Sequence, residues 1–192
     1  IMGGLAGDAL TDADNNVAIG YAALSDDTLG SRSVAIGRTA LRDQNFTTAT
    51  DSNNVAVGYA AGASTTTGIK NVFIGSEAGN AITSGNSNIA LGYRALSADT
   101  LGDRNIAIGL QALATQNFTT NTDSYNVAVG HQAGLEITTG VNNTVIGGLA
   151  GDALTDADFN VAVGRSALGA DTLGSRSTAL GYQDLATQNF TT

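Results

Sequence analysis

A short alternation of apolar positions recurs along this chain at nearly constant distance. It ends each time on a glycine: Gly3, Gly20, Gly37, Gly58, Gly75, Gly92, Gly109, Gly130, Gly147, Gly164 and Gly181. The residue before that glycine is apolar, as in Ile19, Val57, Leu91 and Ile146. Three before it stands Val, Ile or occasionally Thr, and the position between is usually Ala. Large, small, large with period two is a strand pattern, with β-branched residues on one face and Ala on the other. The larger residues, Ile108 among them, are expected on the buried face.

The glycine spacings are 17, 17, 21 and 17, summing to a higher period of 72 residues that carries Gly37 to Gly109 and Gly181. The segments Asp27-Thr28-Leu29-Gly30 and Gln44-Asn45-Phe46-Thr47-Thr48 recur with it. Three residues after each glycine comes Ala, except at Asp184. A position restricted to Ala implies close packing against other backbone, and the row is expected to admit a second chain. The next position reads Gly or Leu in a fixed order: Gly7, Leu24, Leu41, Gly62, then Gly79, Leu96, Leu113, Gly134. A second apolar residue follows, such as Leu10, Leu29, Phe46 or Ile82, so two short strands per coil are expected. The 21-residue coils carry four extra polar or small residues after Phe46 and Phe118, which predicts exposed loops such as residues 47–53.

Four before the glycine is Asn, or Ser at Ser33 and Ser177. These side chains suit a turn and can bond their equals one coil away. The glycine itself is expected to take a positive φ or to permit close backbone approach. Helical solenoids are excluded, since their units are longer and tolerate less Gly and Asn. The reading is an all-β parallel β-roll, a β-solenoid of about eleven 17–21-residue coils. At about 4.8 Å per coil it would be a rod of roughly 50 Å. Residues 1–192 form a single array, expected to be a fragment of a longer fibre.

Composition narrows the chemistry. Hydrophobic residues make up 42% of the chain but aromatics only 5%, so the apolar fraction is mostly small and aliphatic and suits a thin interior. There is no Cys, which removes disulfides, thiol catalysis and zinc–thiolate sites. Net charge is −9 and the eight basic residues are scattered, which argues against nucleic acid as a partner. No apolar run approaches the ~20 residues of a membrane helix.

The candidate chemical groups are few. The one histidine, His131, has no sequence cue for catalytic partners. Asp12 and Asp14, and again Asp156 and Asp158, resemble the start of a calcium loop, but its glycine and terminal Glu are missing. They read as solvated turn carboxylates. Lys70 is the only lysine and no phosphate-loop motif surrounds it. No enzyme, cofactor or metal site is therefore expected. The position after the glycine is the most varied, and Tyr21, Arg38, Tyr59, Tyr93, His131, Arg165 and Tyr182 form a candidate outward recognition row. It would contact a host-surface glycan or protein, or pack against a neighbouring chain.

The runs Asn16-Val17-Ala18-Ile19-Gly20, 54–58, 105–109 and 126–130 resemble the head repeat of trimeric autotransporter adhesins, the YadA-like heads, and similar arrays in phage tail fibres. The resemblance covers nearly the whole chain. It implies a homotrimer of left-handed parallel β-rolls, extracellular, on a bacterial surface or a virion. Its work would be that of a structural or adhesive shaft that spaces or presents host-binding elements. This chain departs from the family in its longer coils and its four-coil superperiod. The alternatives are a self-assembling extracellular filament and an ice-binding solenoid. The second is disfavoured because Thr residues do not recur at one fixed sequence place in every coil.

Overall fold

The structure is a computed structural model and describes residues 1–190; Thr191 and Thr192, which close the third Gln-Asn-Phe-Thr-Thr copy, lie outside the described residues. Ten of the glycine-terminated alternations form three-residue strands: Val17–Ile19, Val34–Ile36, Val55–Val57, Val72–Ile74, Ile89–Leu91, Ile106–Ile108, Val127–Val129, Thr144–Ile146, Val161–Val163 and Thr178–Leu180. They pair in parallel and in chain order as one sheet. Each residue sits beside its counterpart one repeat away, Val17 on Val34 and Ala18 on Ala35. Met2 adds an isolated bridge to Ile19. The fold is an all-β parallel solenoid of about ten turns, with no helix among the described residues. At about 4.8 Å per strand spacing the sheet runs for roughly 43 Å.

The second strand expected in each coil does not form. Among the described residues, extra strand pairs occur only beside the 21-residue coils, Gly30–Ser31 with Thr50–Asp51 and Gly102–Asp103 with Thr122–Asp123. After each strand the backbone turns left-handed twice, as at Ala22 (φ 52) and Leu24 (φ 53). Such residues lie outside the extended region, so the chain curls instead of running straight. The strand-ending glycine meets both demands placed on it. Gly20 has φ 128, and a Cβ there would lie 2.5 Å from the Gly37 carbonyl oxygen.

The strand faces are the reverse of the expected ones. The central Ala18, Ala35, Ala56, Ala90, Ala107 and Ala128 are fully buried, whereas the flanking Val and Ile, Ile108 included, point outward. A coil that closes in 17 residues encloses a narrow space. Leu24, Leu41, Leu96, Leu113 and Leu168 already fill it from the turn, and only Ala fits opposite. The Ala three after the glycine is interior for the same reason: Ala23, Ala40 and Ala61 are fully buried. Its restriction reflects the coil's own core, not the approach of a second chain.

The ordered exchange of Leu for Gly is matched inside the core. Where Gly stands, a larger side chain occupies the vacated volume. Phe73 replaces the strand Ala between Gly62 and Gly79, and Val145 does so between Gly134 and Gly151. An added Cβ at Gly62 would lie 2.5 Å from the Phe73 ring. Ile82, Ile137 and Leu154 complete the filling of the Gly coils.

The Asn column is a polar ladder through the interior. Asn71 Oδ1 accepts the backbone N–H of Asn88 at 2.9 Å, and Asn71 Nδ2 donates to the Gly85 carbonyl at 2.8 Å. Asn54, Asn88, Asn126 and Asn143 repeat both bonds. Buried backbone groups at the turn are satisfied in this way. In the long coils, residues 47–49 are exposed, Phe46 and Phe118 are buried at the loop bases, and Ser52 turns back inside.

Candidate functional site

Reversal of the strand faces leaves an apolar surface uncovered. The residues three and one before each glycine form two parallel columns along the whole sheet. Val17 (38% exposed), Ile89 (36%) and Leu91 (43%) are typical. None of the twenty positions is buried, none is charged, and only Thr144 and Thr178 are polar. Contiguous apolar patches of more than a few hundred Å² are unusual on monomeric proteins and mark interaction sites.

Two further columns border this stripe. On one side lies the row after the glycine, and Tyr21, Arg38, Tyr59, Tyr93, His131, Arg165 and Tyr182 are all exposed there. The stack places Arg38 over the Tyr59 ring at 5.6 Å and Arg165 over Tyr182 at 5.9 Å. The seven side chains thus lie along one edge of the stack, interrupted by Ser76, Leu110 and Gly148, and do not converge on a concave site. On the other side is a row that sequence reasoning missed: Arg32, Arg104, Tyr125, Phe159 and Arg176, each with positive φ. Arg104 lies over Tyr125 at 5.6 Å and Arg176 over Phe159 at 5.4 Å. Arg32 pairs with Asp51 at 2.9 Å, and Arg104 with Asp123. These pairs are solvent-exposed and contribute little stability individually. Their signal in the sequence was the position five before the glycine, which varies among Asn, Ser, Arg, Lys and aromatic residues.

The acidic turns serve the stack. Asp158 Oδ1 accepts the Val141 N–H at 2.8 Å, and Asp156 Oδ1 accepts from the Thr139 hydroxyl at 2.5 Å. Asp12 and Asp14 are exposed. Among the described residues no three His, Cys, Asp or Glu side chains are grouped to hold a metal ion, and no pocket is present. Among the described residues no helix is long and apolar enough to cross a membrane.

Threonine does stack in one column, contrary to the irregular placement read from the sequence. Thr11, Thr28, Thr66, Thr83, Thr100, Thr138, Thr155 and Thr172 lie over one another, with Asn45, Asn117 and Asn189 in the long coils. Each lies eight residues after a repeat glycine, so the order is legible in the linear chain once positions are counted from the preceding glycine. Most of these hydroxyls donate to the coil above, as Thr66 does to the Thr83 carbonyl at 3.1 Å. The neighbouring column mixes Leu29, Phe46, Thr67 and Ser84, so no flat plane of Thr pairs results.

A second polar assembly lies inside the long coils. Asp27 and its equivalent Asp99 are fully buried. Asp99 Oδ1 accepts from the N–H groups of Gly102 (3.1 Å) and Phe118 (3.3 Å), and Oδ2 accepts from Gln116 Nε2 (2.7 Å). Burial pushes the Asp99 carboxyl above its ordinary value, against the opposing pull of these hydrogen bonds. The 72-residue recurrence of Asp27 and Gln44 was its only sequence signal. Compared with family models, curated proteins and solved structures, the chain finds no match.

Proposed function

We propose that this chain is a rigid segment of a fibre, a non-catalytic structural or adhesive shaft that associates with copies of itself as a homotrimer. The observation that carries the reading is the uncovered apolar stripe on the outer face of the ten-stranded sheet. A partner able to cover it must itself present a straight apolar surface roughly 43 Å long. A second copy of this chain carries such a surface, with the same spacing. Three rolls around one axis would bury all three stripes together and leave the loops at residues 47–49 outside. The resemblance to YadA-like heads supports the threefold arrangement and left-handed coils, and an extracellular place on a bacterial surface or virion.

Stiffness follows from the bonding. Turns are tied to one another by strand pairing throughout the sheet, and in most coils also by the Asn ladder and the Thr column. The exposed Tyr and Arg edges would border the seams between copies, where they add specificity to the contact or meet a host-surface glycan or protein. Light scattering on the purified chain tests the reading. The expected mass is three times 19.2 kDa. A 19.2 kDa particle at micromolar concentration would overturn it, and open-ended growth would favour a filament instead.

A further inference from the structure

The Thr column is broken once in every 72 residues, where Asn45, Asn117 and Asn189 stand in place of Thr. Each opens the triplet Asn-Phe-Thr. Asn-x-Ser/Thr is the spacing of an N-glycan acceptor, in which the hydroxyl two residues on is part of what a glycosyltransferase recognises. In a chain this rich in Asn and Thr the spacing also arises by chance, so geometry has to select among its occurrences.

At the first two positions the triplet is presented to solvent. Asn45 and Asn117 are exposed, and so are Thr47 and Thr119. Only the middle residue is buried: Phe46 and Phe118 anchor the loop base and fix the groups on either side at the surface. The Thr28 hydroxyl lies 3.2 Å from Asn45 Oδ1, and the Thr100 hydroxyl 3.0 Å from Asn117 Oδ1. The amide oxygen is thus held against the preceding coil. Nδ2, the atom that takes a sugar, makes no hydrogen bond at either position among the described residues. We propose that Asn45 and Asn117 carry N-linked glycans. Nδ2 attacks the anomeric carbon of a sugar activated as its diphosphate. The bond from that carbon to the diphosphate oxygen breaks, the diphosphate leaves, and Nδ2 gives one proton to a base of the transferase.

A further occurrence separates presentation from spacing. Asn142-Asn143-Thr144 is the same kind of triplet, but Asn143 is locked in the interior ladder, where its Nδ2 donates to the Ala157 carbonyl at 2.7 Å. Thr144 is a strand residue of the stripe, and Asn142 lies in the row beside it, where a glycan would stand between copies. Asn121 is exposed in the second loop, yet Asp123 stands where the hydroxyl is needed. Asn45 and Asn117 belong neither to the stripe nor to its two edges. They lie four coils apart, about 19 Å at the strand spacing, whereas sugars on adjacent coils would crowd at about 4.8 Å. The inference rests on the surface location proposed above, not on the association of copies.

Glycopeptide mass spectrometry of the chain purified from the organism that makes it tests this. Peptides containing Asn45 and Asn117 should each be heavier by whole sugar units, and fragmentation should place the sugar on the asparagine. Thr47→Ala should abolish the addition at Asn45 and leave that at Asn117, with an unchanged circular dichroism spectrum. If that variant does not fold, the wild-type glycopeptides decide alone. Unmodified asparagine at both positions would overturn the proposal, and sugar on the Thr47 or Thr119 hydroxyl would replace it with O-linked attachment. Sugar at Asn142 would show that spacing alone selects the site and overturn the structural argument. Light scattering on the same material keeps the two readings apart. An unmodified trimer overturns the glycan sites alone, and a glycosylated single chain overturns the shaft alone.

Discussion

Phe73 occupies the space that Gly79 leaves empty: the ring stands in the strand position held by Ala in most coils, and a Cβ added to Gly79 would collide with it. The two positions are six apart in the chain, and each makes sense only with the other. Phe73→Ala should cost about 3–5 kcal/mol by leaving a cavity. Gly79→Ala should also destabilise. In the Phe73→Ala background the added methyl has room, so the double variant should be less damaged than the two single effects predict, with a coupling of about 0.5–3 kcal/mol. Thermal unfolding of the four proteins measures it, and strict additivity would refute the compensation.

The reversed strand faces predict opposite behaviour at adjacent residues. Ala107 is fully buried, so Ala107→Asp places an unpaired charge in the core and should destabilise the fold by several kcal/mol. Ile108 is partly exposed, so Ile108→Asp should leave the strand pairing intact by circular dichroism. It should instead reduce the particle mass toward one chain, if the stripe is the contact between copies. Equal loss of secondary structure in both variants would contradict the assigned faces.

The long coils predict a hierarchy between loop and anchor. Phe46 is 6% exposed, and its change to Ala should cost about 3–5 kcal/mol. Deletion of residues 47–50 removes mostly exposed, small or polar residues and converts the coil to the common length. In a solenoid the damage stays near its neighbours. The deletion should therefore shift the unfolding temperature less than Phe46→Ala does. The reverse order would place the loop within the packed core.

Asp99 predicts a pH dependence whose sign follows from burial. Its folded pKa is raised above the unfolded value, so the folded chain holds that proton more tightly. The corresponding stability is fully present below the unfolded pKa of about 3.9 and is lost as pH rises through the raised folded value. Denaturant titrations across that window should show wild-type stability declining with pH relative to Asp99→Asn, whatever the absolute stability of the variant. Parallel profiles would show that Asp99 does not titrate with folding.

The sequence alone determined the coil. Glycine spacing defined the repeat, and alternation placed a strand before each glycine. The Asn column followed from its fixed distance to the strand, and Phe46 was marked as a loop anchor by the polar residues after it. These are local features, set by backbone geometry within one turn. Which strand face is buried was not local. Period two separates Val17 and Ile19 from Ala18 but does not say which set points inward. The tertiary structure decided it, because a 17-residue turn has room for Leu24 only if Ala18 lies opposite. The same closure brought Phe73 to Gly62 and Gly79, and gathered Asp27, Ser33, Ser52 and Asn54 around the Gln44 amide. Those contacts join residues from successive coils, and only the stacking of one coil on the next brings them together.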